Sequence, residues 1–152
     1  MAVPVLQALL LADHVYRDAT TGKHVIAGVF AKVFFIPKVK LEQQANPQPG
    51  VMTEVPIQEL MRAGSPFAYI SMTDVHGTKS FELRYVDLSN NDVLFRAELT
   101  LTSNDPLQNI ELSVPLPVLP VPHEGAFVIE LLCENELLGS HRILATPQPD
   151  VQ

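Results

Sequence analysis

Apolar and polar residues alternate with period two along most of the chain, the mark of strands that keep one face in a core and one toward water. Phe81, Leu83 and Tyr85 alternate with Ser80, Glu82 and Arg84. Val93, Phe95, Ala97, Leu99 and Leu101 alternate with Leu94, Arg96, Glu98 and Thr100. Ile110, Leu112, Val114 and Leu116 form a third apolar row; Phe127, Ile129, Leu131 and Cys133 form a fourth. The pattern predicts about eight strands, over 5–14, 24–36, 67–73, 79–87, 93–101, 109–118, 126–134 and 137–144. The expected fold class is all-β, an antiparallel β-sandwich of the immunoglobulin-like, Greek-key type. Residues 1–145 are expected to make one such domain, with 146–152 a flexible tail.

Three local features refine this. Pairing Tyr85 with Phe95, Leu83 with Ala97 and Phe81 with Leu99 makes paired numbers sum to a constant even value. That parity predicts an odd loop such as Ser89-Asn90-Asn91, with an asparagine in the left-handed conformation. From Val114 to Pro122, the prolines at 115 and 117 lack donors on one edge, and those at 120 and 122 on the opposite edge. An edge strand that bends near Val118-Leu119 and crosses between sheets satisfies both. A PxxP ligand reading of Pro117 to Pro120 lacks any flanking basic residue. Between Pro37 and Pro66 strand alternation stops. Pro56 and Gly64 bracket a helix of about two turns, with Ile57, Leu60 and Met61 on one face. A long connection of this kind is the first place to look for a site.

Residues 5–12 and 25–36 are apolar on both faces, apart from Gln7 and Lys32. Either they are central strands covered on both sides, or one face is buried against another subunit. Exposing such rows costs about 25 cal/mol per Å² of apolar surface, so something should cover them. The Ile57–Met61 helix is small for that purpose, which favours a homodimer with a two-fold interface.

Composition narrows the function. The chain has 152 residues, 47% of them apolar, enough for one full core. A formal charge of −7, with only ten Lys and Arg, disfavours nucleic acid and anionic membrane surfaces as partners. The apolar run Leu6–Ala12 lacks a basic flank and is too short for a signal core or a membrane span, so cytoplasmic residence is expected. Cys133, the single cysteine, sits among Ile129, Leu131 and Leu132 and reads as a buried hydrophobe.

No phosphate loop, dinucleotide fingerprint, nucleophile elbow or zinc-spaced Cys/His pair is present. Asp74 and His76 lie in a turn and read as solvated residues, since a metal needs at least three converging ligands. A calcium site from Asp74, Asp87, Asn90, Asn91 and Asp92 would need turns at one end, whereas successive turns lie at opposite ends. Asp13, His14 and His24 can meet at the end of the first hairpin, with Thr20 and Thr21 the nearest hydroxyls. No catalytic, cofactor-binding or metal-binding residue is assigned, and no cofactor is expected.

The motifs Leu10-Leu-Ala-Asp13, Gly22-Lys23 and Ile26-Ala-Gly-Val-Phe30 resemble those of an uncharacterised family of small bacterial β-sandwich proteins, a domain of unknown function. Thr73-Asp74 with Gly77, Leu83-Arg-Tyr-Val-Asp87 and the stretch from Leu119 to Glu130 extend the resemblance over most of the chain outside 37–66. It implies membership and no assigned activity. The resulting expectation is a non-catalytic binding or assembly module acting through protein–protein contacts. The alternative is a small-molecule or metal-dependent enzyme, with its site near the 13–24 hairpin end or the 37–66 loop.

Overall fold

Alternating rows of this length bury one face each, and they do so here in two sheets that share a core. The computed structural model describes residues 3–35 and 65–148. Within them lie nine strands and no helix: β1 Val5–Arg17, β2 His24–Val29, β3 Lys32–Phe35, β4 Phe67–Thr73, β5 Gly77–Asp87, β6 Asp92–Ser103, β7 Ile110–Pro115, β8 Gly125–Cys133 and β9 Glu136–Pro147. One sheet has the order β2-β1-β4-β7 and the other β3-β9-β8-β5-β6. All neighbours are antiparallel except β3 and β9, which run parallel. The helix expected over 55–64, and nearly all of the 37–66 connection, lie outside the described residues.

The core draws on both sheets. Leu9, Leu11, Ala68, Ile70 and Met72 of the four-stranded sheet meet Phe81, Leu83, Tyr85, Phe127, Ile129, Leu131 and Ile143 of the other. The apolar rows read from the sequence are therefore the inward rows. The half-buried Phe95, Ala97 and Leu99 belong to β6 at a sheet edge, and Ile110, Leu112 and Val114 to β7 at another.

The expected pairing of Phe81 with Leu99, Leu83 with Ala97 and Tyr85 with Phe95 is present. The expected odd loop is not. A bulge sets Val86 against Val93, skips Leu94, and closes the hairpin at Asp87 and Asp92, leaving residues 88–91 as the loop. One extra residue on one strand changes the parity that the arithmetic relied on. Asn91 still takes the left-handed position, at φ 61°.

The single strand expected over 24–36 is two strands in two sheets, a correction with a local cause. Gly28 has φ +74°, and a Cβ there would stand 2.6 Å from Oδ2 of Asp13. The bend this glycine permits lets the chain leave β1 and cross over. Phe30 N–H donates to the Leu11 carbonyl in the first sheet at 3.1 Å, while Leu144 N–H of the second donates to the Ala31 carbonyl at 2.9 Å. His141 Nε2 holds the Phe30 carbonyl at 2.8 Å. The two-sided apolarity of 25–36 thus has a simple origin: Ile26 packs on the first sheet and Val33 and Phe35 on the shared core. Gly28→Ala should cost about 1–3 kcal/mol, since it forces a side chain into a left-handed conformation and against Asp13. Urea unfolding checks this, and an unchanged midpoint would remove Gly28 as the cause of the crossing.

The last strand, expected over 137–144, continues to Pro147, because Leu144, Ala145, Thr146 and Pro147 pair with β3. β7 is an edge strand, as the prolines required, but it ends at Pro115, and residues 116–124 make the crossing to β8 without strand structure.

Candidate functional site

Successive residues of a strand face opposite ways, so the rows beside the core row point outward. On the four-stranded sheet that outward row is apolar. Ala12, Val15 and Tyr69 form a buried cluster with Ala8, Leu10, Ile26 and Phe67, all from β1, β2 and β4. The outward row of the other sheet carries charge instead. Arg84 Nε donates to Glu82 Oε1, and Arg96 Nε lies 3.9 Å from the same oxygen. The Arg84 hydrogen bond holds the Glu82 carboxyl below its ordinary value.

A polar group adjoins the apolar cluster. Tyr69 OH donates to Oε2 of Glu111 on β7. His24 Nδ1, on β2, lies 3.0 Å from that same oxygen, an ion-pair distance off the angle of a hydrogen bond. The His24 side chain is 16% exposed and that of Glu111 33%. The His24 and Tyr69 rings are 5.6 Å apart. Burial, then the Glu111 carboxylate, pushes the Tyr69 phenol up from its usual value, so it stays protonated and serves as a donor. Beside it Ser71 Oγ donates to Asn109 Oδ1 at 2.9 Å. These hydroxyls are committed to acceptors, and the arrangement suits recognition better than nucleophilic attack.

The structure does not bring Asp13, His14 and His24 together. His14 is exposed opposite Ala27, Asp13 lies over Gly28, and His24 turns toward Glu111. Thr20 and Thr21 donate their N–H groups to Asp18 Oδ1, both at 2.8 Å, as turn residues. Those two bonds, Thr21's first, lower the Asp18 carboxyl. Asp74 and the 88–91 loop sit at opposite ends of β5, and no group of three metal-ligating side chains occurs among the described residues.

A second polar group was not anticipated. Asp87, 1% exposed at the end of β5, takes Ser89 Oγ at 2.8 Å and Ser89 N–H at 3.0 Å on Oδ1. Its Oδ2 lies 2.5 Å from His123 Nε2. His123 Nδ1 lies 2.7 Å from the Glu124 carbonyl. Serine, histidine and aspartate are all present, yet this is no catalytic triad. The same ring nitrogen serves both Asp87 and Ser89, and the other is occupied by a backbone carbonyl.

A cleft of about 650 Å³ opens between the sheets, lined mainly by apolar side chains such as Phe30, Phe35, Leu119 and Val121, with Asp13 and Lys32 as its charged members. No helix among the described residues is long and apolar enough to cross a membrane. No family model and no curated protein matches this chain.

Proposed function

We propose that the chain is a non-catalytic assembly module that pairs with a second copy of itself through the outward face of the four-stranded sheet. The observation that carries this reading is the partly exposed apolar set Ala8, Leu10, Ile26 and Phe67, packed around buried Ala12, Val15 and Tyr69 on β1, β2 and β4. A two-fold axis would lay the partly exposed Ala8, Leu10, Ile26 and Phe67 against their own copy, each Å² of apolar surface removed being worth about 25 cal/mol. The polar group of Tyr69, Glu111 and His24 beside it would fix the register.

The fold belongs to the same proposal. β4 pairs with β7 in one sheet, β5 lies beside β8, and β8–β9 and β5–β6 are hairpins in the other. These adjacencies match strands B and E, and C, C′, F and G, of an immunoglobulin-like Greek-key sandwich. The short helix of 55–64 and kinship with the uncharacterised small bacterial β proteins rest on the residues quoted for each. Cytoplasmic residence is supported by one buried free thiol, which suits a reducing compartment. The second reading, a small-molecule or metal-dependent enzyme near Asp13, is favoured by the cleft that Asp13 lines.

Sedimentation equilibrium at micromolar concentration tests the dimer. Ile26→Lys, on the proposed face, should shift the mass to that of a monomer, while Glu98→Lys, on the other sheet, should leave it unchanged. A monomer mass for the unaltered chain would overturn the proposal.

A further inference from the structure

We propose that His123 is a proton-operated latch: as an imidazolium it ties the 116–124 crossover to Asp87, and loss of the proton frees the crossover. Leu116 N–H donates to the Pro66 carbonyl, and Leu116, Leu119 and Val121 pack on the shared core, but the second half of the crossover is poor in backbone bonds. Pro117, Pro120 and Pro122 have no N–H, and between 117 and 124 no backbone–backbone hydrogen bond is made among the described residues. Two side-chain hydrogen bonds tie that half. Tyr85 OH donates to the Pro120 carbonyl at 2.9 Å, and His123 reaches Asp87.

The protonation state follows from the partners. The Glu124 carbonyl and the Asp87 carboxylate both only accept, and each faces a ring nitrogen. A neutral imidazole has one N–H, so in either tautomer a lone pair would face an oxygen. The cation satisfies both. It also supplies the one ionic partner, among the described residues, of a carboxylate that is 1% exposed. The cation's other contacts among the described residues are uncharged: Ser89 from the β5–β6 loop, Gly125, and the Phe127 ring of β8 at 5.4 Å. The Glu124 carbonyl first, then Asp87, raises the His123 pKa above its ordinary 6.5. Asp87 is lowered from its ordinary 3.8, its Ser89 and His123 hydrogen bonds outweighing burial.

The signs set a window. Because the latched pKa of His123 is raised, its contribution is complete below 6.5 and is lost as pH rises through the latched value. Because that of Asp87 is lowered, its contribution holds above 3.8 and is lost as pH falls through its latched value. As pH rises above 6.5, then, one proton controls the crossover. Val118, Leu119, Pro120 and Val121 of that crossover form a wall of the cleft, so the cleft changes shape with the same proton.

Proton and methyl NMR on the full chain tests this. The His123 ring, assigned by its absence in His123→Gln, should titrate above 6.5, and Asp87→Asn should bring it down. Methyl signals of Val118, Leu119 and Val121 should move toward disordered positions with the same midpoint, the open fraction rising about tenfold per pH unit before it levels. Methyls of Ile129 and Leu131 should stay fixed. In Asp87→Asn or His123→Gln the crossover should be mobile at every pH. Crossover methyls that ignore pH in the unaltered chain, or a His123 titrating at or below 6.5, would overturn the latch.

Discussion

Phe127→Ala should destabilise the fold by about 3–5 kcal/mol, a large part of what holds a domain of this size. Phe127 is fully buried and faces the core from β8 between Asp87 of β5 and Ile143 of β9. Its ring stacks on Tyr85 at 5.6 Å and lies under His123 at 5.4 Å. Removing it forfeits the transfer energy of a whole ring and leaves a cavity that two rigid sheets cannot close. Phe127→Leu should cost less, because most of the volume is kept. Phe34→Ala is the contrast. That ring is 58% exposed on edge strand β3, with Lys32 Nζ 5.3 Å from its centre, and its loss should cost less than about 1 kcal/mol. Urea unfolding of the three variants measures the order. A Phe127→Ala cost as small as that of Phe34→Ala would mean the shared core is not where the load sits.

The strands were legible because a buried face writes itself into every second residue. Phe81, Leu83 and Tyr85 announce both a strand and its inward side, and their register with β6 follows from parity. What parity cannot register is a bulge, since one skipped residue at Leu94 leaves the composition of the hairpin unchanged. The crossing at Phe30–Ala31 was illegible for a related reason. A strand apolar on both faces and a strand that serves first one sheet and then the other have the same sequence pattern. Gly28 was the available signal, and an isolated glycine has many adequate readings.

The polar groups were less legible. His24 stands out as a histidine, but its partners Glu111 and Tyr69 lie more than forty residues away, on strands that the order β2-β1-β4-β7 does not place beside β2, so no local pattern brings them together. Proximity in sequence suggested Asp13 and His14 instead. The same holds for Asp87 and His123, which sit in separate motifs and are joined by the pairing of β5 with β8. Long-range pairs in a sheet are set by topology, which a single sequence states weakly.

Cys133 offers the sharpest check on how the sheets face. It is 3% exposed, in the inward row with Ile129 and Leu131, and paired with Phe81. Burial first, then the charge of Glu134, raises the thiol pKa above its ordinary value. The reactive species is the thiolate, so a native thiol that is both hidden and hard to ionise reacts chiefly after the strand opens. Labelling of the native protein at pH 7 should therefore be slower than in denaturant by on the order of 10³-fold or more, given ordinary domain stabilities. Leu131→Ala, at a fully buried neighbour, should narrow that ratio by opening the core more often. A native rate within about tenfold of the denatured one would place Cys133 on the outward row and invert the facing of β8. Every inward assignment in the five-stranded sheet would invert with it, because β8 is hydrogen-bonded to both β5 and β9.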